Sequence, residues 1–232
     1  MSAIIIIVHN IKLFHQTAEE FIMTPKHADV IKNFMIHMKT LDTKSFMKNM
    51  LLCFCAPTIS GIKAASLINL KRHDEDLRSL WREHSGEWLA ALNVQGLLLN
   101  EHGQHKNALV MVYRRELLAK VLGCSEACCL LREYGYPLND VDACLECLRE
   151  KFCSTFPHEI GLFLDYPPED VRGFIENRPA KKLSCPCCWK VYGDVHRAAE
   201  KTRQYKQAEC EAARMILAGE NIQMEAVSWQ KY

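Results

Sequence analysis

Apolar positions in this chain recur mostly at helical spacing, broken by a few short runs of a different kind. Between Thr24 and Lys39, the residues Val30, Ile31, Phe34, Met35 and Met38 form one stripe, with Thr24 as N-cap and Pro25 at the first helical position. Ser45–Phe54 is apolar on most faces. A turn at Cys55 follows, and Gly61–Leu70 reads as a helix. Glu75–Leu99 continues with helical period through Leu77, Leu80, Trp81, Trp88, Leu89 and Leu92.

Further along, Ala108–Tyr113 (ALVMVY) is a continuous apolar run of strand length that Arg114 and Arg115 end. Two helices are expected next. The first has Ser125 as N-cap and stops at Gly135, and the second runs over Val141–Phe152 behind Asp140. His158–Leu164 has strand character, with His158 and Glu159 pointing to opposite faces by parity. Tyr166-Pro167-Pro168 makes a turn, and Pro168 opens a helix with Glu169 and Asp170 in its first turn. Trp189–Tyr192 (WKVY) reads as a third short strand, and Asp194 caps a long charged helix ending at Gly219. The pattern is α+β: mostly helical, a small sheet of about three short strands, one domain. Residues 1–45 are expected to be an N-terminal extension, 46–218 the main domain and 219–232 a tail.

Composition narrows the function classes. The chain has 232 residues, of which 49% are hydrophobic and 25% charged, with a formal net charge of +1. That length and balance support an ordinary packed core without disulfide staples, and no global basic field calls for nucleic acid. The helix from Val195 to Arg214 interleaves Arg197, Lys201, Arg203, Lys206 and Arg214 with Glu200, Glu209 and Glu211, which is a solvated, ion-paired face. The apolar stretch Ala3–Val8 is too short to span a bilayer and lacks the flanks of a signal peptide. Twelve cysteines in helix-like segments of a chain this long fit a reducing cytoplasm. No phosphate loop, dinucleotide fingerprint or zinc-protease motif is present.

Three constellations carry candidate chemistry. Cys55 lies just before Pro57, at what reads as a helix entrance with Lys63 close in sequence, and His158 is a candidate base for it. In such a pair Asp165 or Asp170 would orient the imidazole, since Glu159 faces away. Cys144, Cys147 and Cys153, together with Cys185, Cys187 and Cys188, offer two thiol groups that zinc or an iron–sulfur cluster would need. The first pair, however, lies mid-helix in an amphipathic stripe, so no cofactor is predicted. Lys63, Arg114, Arg115 and Lys190 flank element ends and are candidates for an anion site, Arg114 foremost because it terminates a buried strand.

The blocks CAPTISGIKAASL (55–67), ALVMVYR (108–114), FPHEIGLFLDYPPEDVRGFIEN (156–177) and WKVYGD (189–194) resemble, in order and spacing, the bacterial family filed as domain of unknown function 3793. The resemblance covers roughly residues 50–210. The N-terminal forty or so residues and the three cysteines before Trp189 depart from the pattern. The resemblance implies a bacterial, cytosolic protein and brings no activity with it. It points to Cys55, Lys63, Arg114, His158, Glu159, Asp170 and Lys190 as the family's polar motif positions. Two functions follow as expectations: a thiol-dependent hydrolase or transferase using Cys55 and His158, or a non-catalytic accessory protein holding a small molecule, anion or metal in the same pocket. A structural partner protein assembling through its N-terminal extension is the third.

Overall fold

The computed structural model describes residues 25–72, 75–100, 108–180 and 189–220. The possible N-terminal strand, the thiols of Cys185, Cys187 and Cys188, and the C-terminal tail beyond residue 220 lie outside the described residues. Three helices come first: α1 (Pro25–Thr40), α2 (Thr43–Phe54) and the single turn α3 (Ala56–Ile59). Next are β1 (Ala65–Asn69), a two-residue pair β2 (Lys71–Arg72) and β3 (Glu75–Asp76), α4 (Arg78–Ala91), β4 (Gln95–Leu98) and β5 (Leu109–Tyr113). The remainder is helical: α5 (Arg115–Leu122), α6 (Ser125–Glu133), α7 (Val141–Phe152), the short α8 (Ile160–Phe163), α9 (Pro168–Ile175) and the long α10 (Val195–Leu217).

The fold is α+β and mostly helical, around an antiparallel sheet of order β1-β5-β4. β5 is central, pairing Leu67 with Met111 on one side and Leu97 with Met111 on the other. Every residue of β5 is buried, which explains why its sequence runs apolar without alternation. Val110 and Val112 face a core shared with α1, α2, α4 and α10, through Phe34, Met47, Leu51, Trp81 and Ala213. Leu109, Met111 and Tyr113 face a second core built from α5 to α9, through Leu118, Leu131, Leu148 and Phe163. Ile31, Phe34 and Met38 of α1, in the segment the sequence sets aside as an extension, belong to the first core.

Three strands were expected and the sheet has three, but only β5 is a strand that the sequence indicates. Gly61–Leu70 is not a helix. Gly61, at φ +76°, turns the chain, and residues 65–69 pair with β5. The run AASLI is buried on both faces, so its polarity carries no period of two to betray a strand. The expected long helix over 75–99 ends at Ala91. Asn93, at φ +47°, then reverses the chain into β4. Residues 158–164 are a turn and the single helical turn α8, because Ile160, Gly161, Leu162, Phe163 and Leu164 are buried on every side and periodicity is erased. WKVY keeps the burial alternation of a strand without a ladder. Cys124, rather than Ser125, occupies the N-cap of α6. The caps at Asp140 and Asp194 are as expected: their carboxylates accept from Ala143 N and from His196 N and Arg197 N.

Candidate functional site

The site is built from the end of the 156–175 block and the irregular segment Trp189–Gly193. Pro167 and Pro168 end one turn and open α9, so Glu169 and Asp170 fall in its first turn. Asp170 is 1% exposed and uses both oxygens. Oδ2 accepts from Trp189 Nε1 at 2.7 Å, and Oδ1 accepts from the backbone N–H groups of Tyr192 and Gly193, each at 2.6 Å. A buried carboxylate is tolerated because three donors replace water. Gly173 completes the fit. A Cβ there would stand 2.4 Å from Tyr192 Cγ, so only glycine lets the segment lie against α9.

This docking forms an aromatic cleft, open to solvent, that encloses about 50 Å³. Phe156, Ile160, Tyr166, Val171, Phe174 and Trp189 wall it, with His158 and Lys190 as its basic groups. Tyr166 stacks on Trp189 at 4.6 Å between centroids. His158 sets its ring edge-to-face with Phe174 at 5.2 Å, and Lys190 Nζ lies 5.7 Å from the same ring centre. Both are exposed, and neither forms an ion pair among the described residues. Asp170, the one acid among the described lining residues, is engaged by three donors.

The other expected site residues divide into neighbouring groups. Lys63 Nζ stands 5.6 Å from the Tyr166 ring centre and 5.0 Å from that of Tyr205, so it backs the cleft from the β1 side. Asp165, in left-handed backbone at φ +61°, accepts from Lys201 Nζ at 2.7 Å and from Tyr205 hydroxyl at 3.0 Å. This ties the turn before α9 to α10. Arg114 donates through Nε to Thr58 O at 2.8 Å and through Nη2 to Ile59 O, closing the carbonyl end of α3. Arg115 pairs with Asp142 and Asp140. Glu159 is turned inward. It is 4% exposed and accepts from Tyr136 hydroxyl at 3.1 Å, and it is His158 that is exposed. Burial and then the Glu159 charge push the Tyr136 phenol well up.

Cys55 sits between α2 and α3 with no solvent exposure, inside the first core. Burial pushes its thiol well up, more than the opposing pull of Lys63 lowers it. The helix it precedes has only four residues and offers its side chain no cap hydrogen bond. Cys55 is absent from the walls of the cleft, and no hydrogen bond joins it to His158. Cys144, half of the mid-helix pair, donates its S–H to Pro137 O at 2.7 Å and is buried. Among the described residues no group of three or more His, Cys, Asp or Glu side chains is placed to hold a metal ion. No helix among them is long and apolar enough to cross a membrane.

Sequence reasoning missed the aromatic walls and the Asp165–Tyr205–Lys201 tie. A faint signal existed for both: aromatics flank the Pro157 and Pro167-Pro168 turns, and Lys201 and Tyr205 are spaced i, i+4 on one helix face.

A family model described as "Protein of unknown function (DUF3793)" matches residues 51–224. The chain belongs to that family. No curated protein and no solved structure matches it. The matched span contains every residue of the cleft.

Proposed function

We propose that this protein is a non-catalytic small-molecule-binding protein whose ligand occupies the cleft between α9 and the 189–193 segment. The observation that carries this reading is the open aromatic enclosure of Phe156, Tyr166, Phe174 and Trp189, rigidly held by Asp170 and Gly173. An apolar concavity with a few fixed polar groups at its edge is the general form of a ligand site. The thiol reading finds less support. Cys55 is buried, its thiolate is disfavoured, and it lies outside the cleft that holds His158.

A fragment screen followed by amide and indole chemical shifts tests the proposal. Perturbations should cluster at 156–174 and 189–193, and should persist in Cys55→Ala. Fragments that map elsewhere, or binding that vanishes in Cys55→Ala while the fold persists, would sink it.

A further inference from the structure

Resting on the reading of the cleft as a ligand site, we infer that its ligand is a flat organic monoanion of the carboxylate class, and that Lys190 sets this preference. The walls are rings: Phe156, Tyr166, Phe174 and Trp189, with the His158 imidazole among them. A planar apolar body fills such a slot with favourable ring contacts, which a compact aliphatic body would forgo.

The charge of the cleft decides the rest. Its acid among the described residues, Asp170, is 1% exposed and already takes three donors from the chain itself, so little of its charge is offered to a guest. The ammonium of Lys190 is exposed at the rim over Phe174 and has no carboxylate partner among the described residues. His158, which packs on the same Phe174 ring, makes no hydrogen bond through its ring nitrogens among the described residues. An anionic head group therefore meets an ammonium and an imidazole, whereas a cationic ligand has only the ring faces to set against the charge of Lys190.

The same site is poorly made for a phosphate ester. Tight phosphate recognition draws on convergent backbone N–H groups or forked guanidinium donors. The cleft has such a pair of amides, those of Tyr192 and Gly193, but the chain's own Asp170 carboxylate fills them at 2.6 Å each. Among the described residues, no arginine lines the cleft. One ammonium suits one negative charge.

Four probes that share one naphthalene ring separate the possibilities on the full chain: 1-naphthoate, 1-naphthylmethanol, 1-naphthylmethylamine and 1-naphthyl phosphate. Each is titrated by calorimetry and by the shifts of indole N–H resonances. Naphthoate should bind about tenfold more tightly than the alcohol, the return of one charge-assisted contact, and the amine should bind weakest. Naphthyl phosphate should gain nothing over naphthoate. Lys190→Gln, an exposed substitution, should bring naphthoate down to the level of the alcohol, and Lys190→Arg should keep most of the difference. If the alcohol equals naphthoate and Lys190→Gln changes neither, the anion inference fails while the cleft stands as a binding site. Tighter binding of the phosphate would overturn the carboxylate assignment. If no probe moves the indole resonances, both the inference and the cleft reading fall.

Discussion

Trp189 Nε1 donates to Asp170 Oδ2 across 2.7 Å, and this bond joins the two segments that make the cleft. The same carboxylate receives two successive backbone amides, so one side chain fixes the tilt of the Trp189 ring and the path of the chain behind it. Removing it takes this shared acceptor away from three buried or half-buried donors. Asp170→Ala should therefore cost about 2–4 kcal/mol in urea unfolding and alter the near-ultraviolet dichroism of Trp189. Asp170→Asn keeps one oxygen for the two amides and should cost less. Equal stability of Asp170→Ala and the parent would refute this role.

Gly173 and Gly193 make a controlled pair. A methyl at Gly173 would meet the Tyr192 ring at 2.4 Å, an atom within the docked segment itself. A methyl at Gly193 would meet Glu169 Cγ at 2.2 Å, but Glu169 is an exposed, flexible side chain that is able to swing away. Gly173→Ala should lower stability by about 1–3 kcal/mol and weaken probe binding. The expected loss for Gly193→Ala is under about 1 kcal/mol. The reverse order, read from thermal unfolding, would contradict the packing described.

Arg114 braces carbonyls rather than facing a ligand, since Nε and Nη2 serve Thr58 O and Ile59 O. Arg114→Ala should destabilise the chain by about 1–3 kcal/mol and leave naphthoate affinity unchanged. A change in affinity with unchanged stability would instead return Arg114 to the list of ligand contacts.

The buried thiols predict a pH dependence with a definite sign. Burial raises both Cys53 and Cys55 above the ordinary thiol value of 9.0. The unfolded chain thus loses these protons as pH rises past about 9 while the folded chain keeps them, so the unfolded state binds fewer protons and stability falls. Their stabilising effect is full below pH 9 and is lost above it, by about 1.4 kcal/mol per pH unit for each thiol. Reduced protein unfolded in urea between pH 8 and 10 should show the decline, and Cys55→Ala should make it shallower. In native protein at pH 8, iodoacetamide should label the exposed Cys129 and Cys153 and spare Cys53 and Cys55. Rapid alkylation of Cys55 would revive the thiolate reading.

How much of this was legible beforehand depended on whether a feature is local. The stripes of α1 and α7, the caps at Asp140 and Asp194, the Pro168 start of α9 and the apolar run of β5 are written within a few residues of where they act. The family was legible too, because ordered blocks are themselves a sequence property. β1 and α8 were not, since burial on both or all sides removes the polar half of the pattern that would reveal their period.

Among the candidate residues, sequence alone picked out His158, Asp170 and Lys190 by position in their blocks, yet it could not tell a ligand-facing group from a brace. Packing supplied the distinction. Asp170 was turned inward onto Trp189, and Glu159 inward onto Tyr136. His158 and Lys190 were left at the rim of an aromatic cleft, and Cys55 was sealed in a core that the cleft does not reach. Whether a polar side chain meets solvent, a ligand or a buried amide depends on what lies against it in space. For these residues the partners are set by the docking of the 189–193 segment on α9, about twenty residues away along the chain, where no local pattern records them.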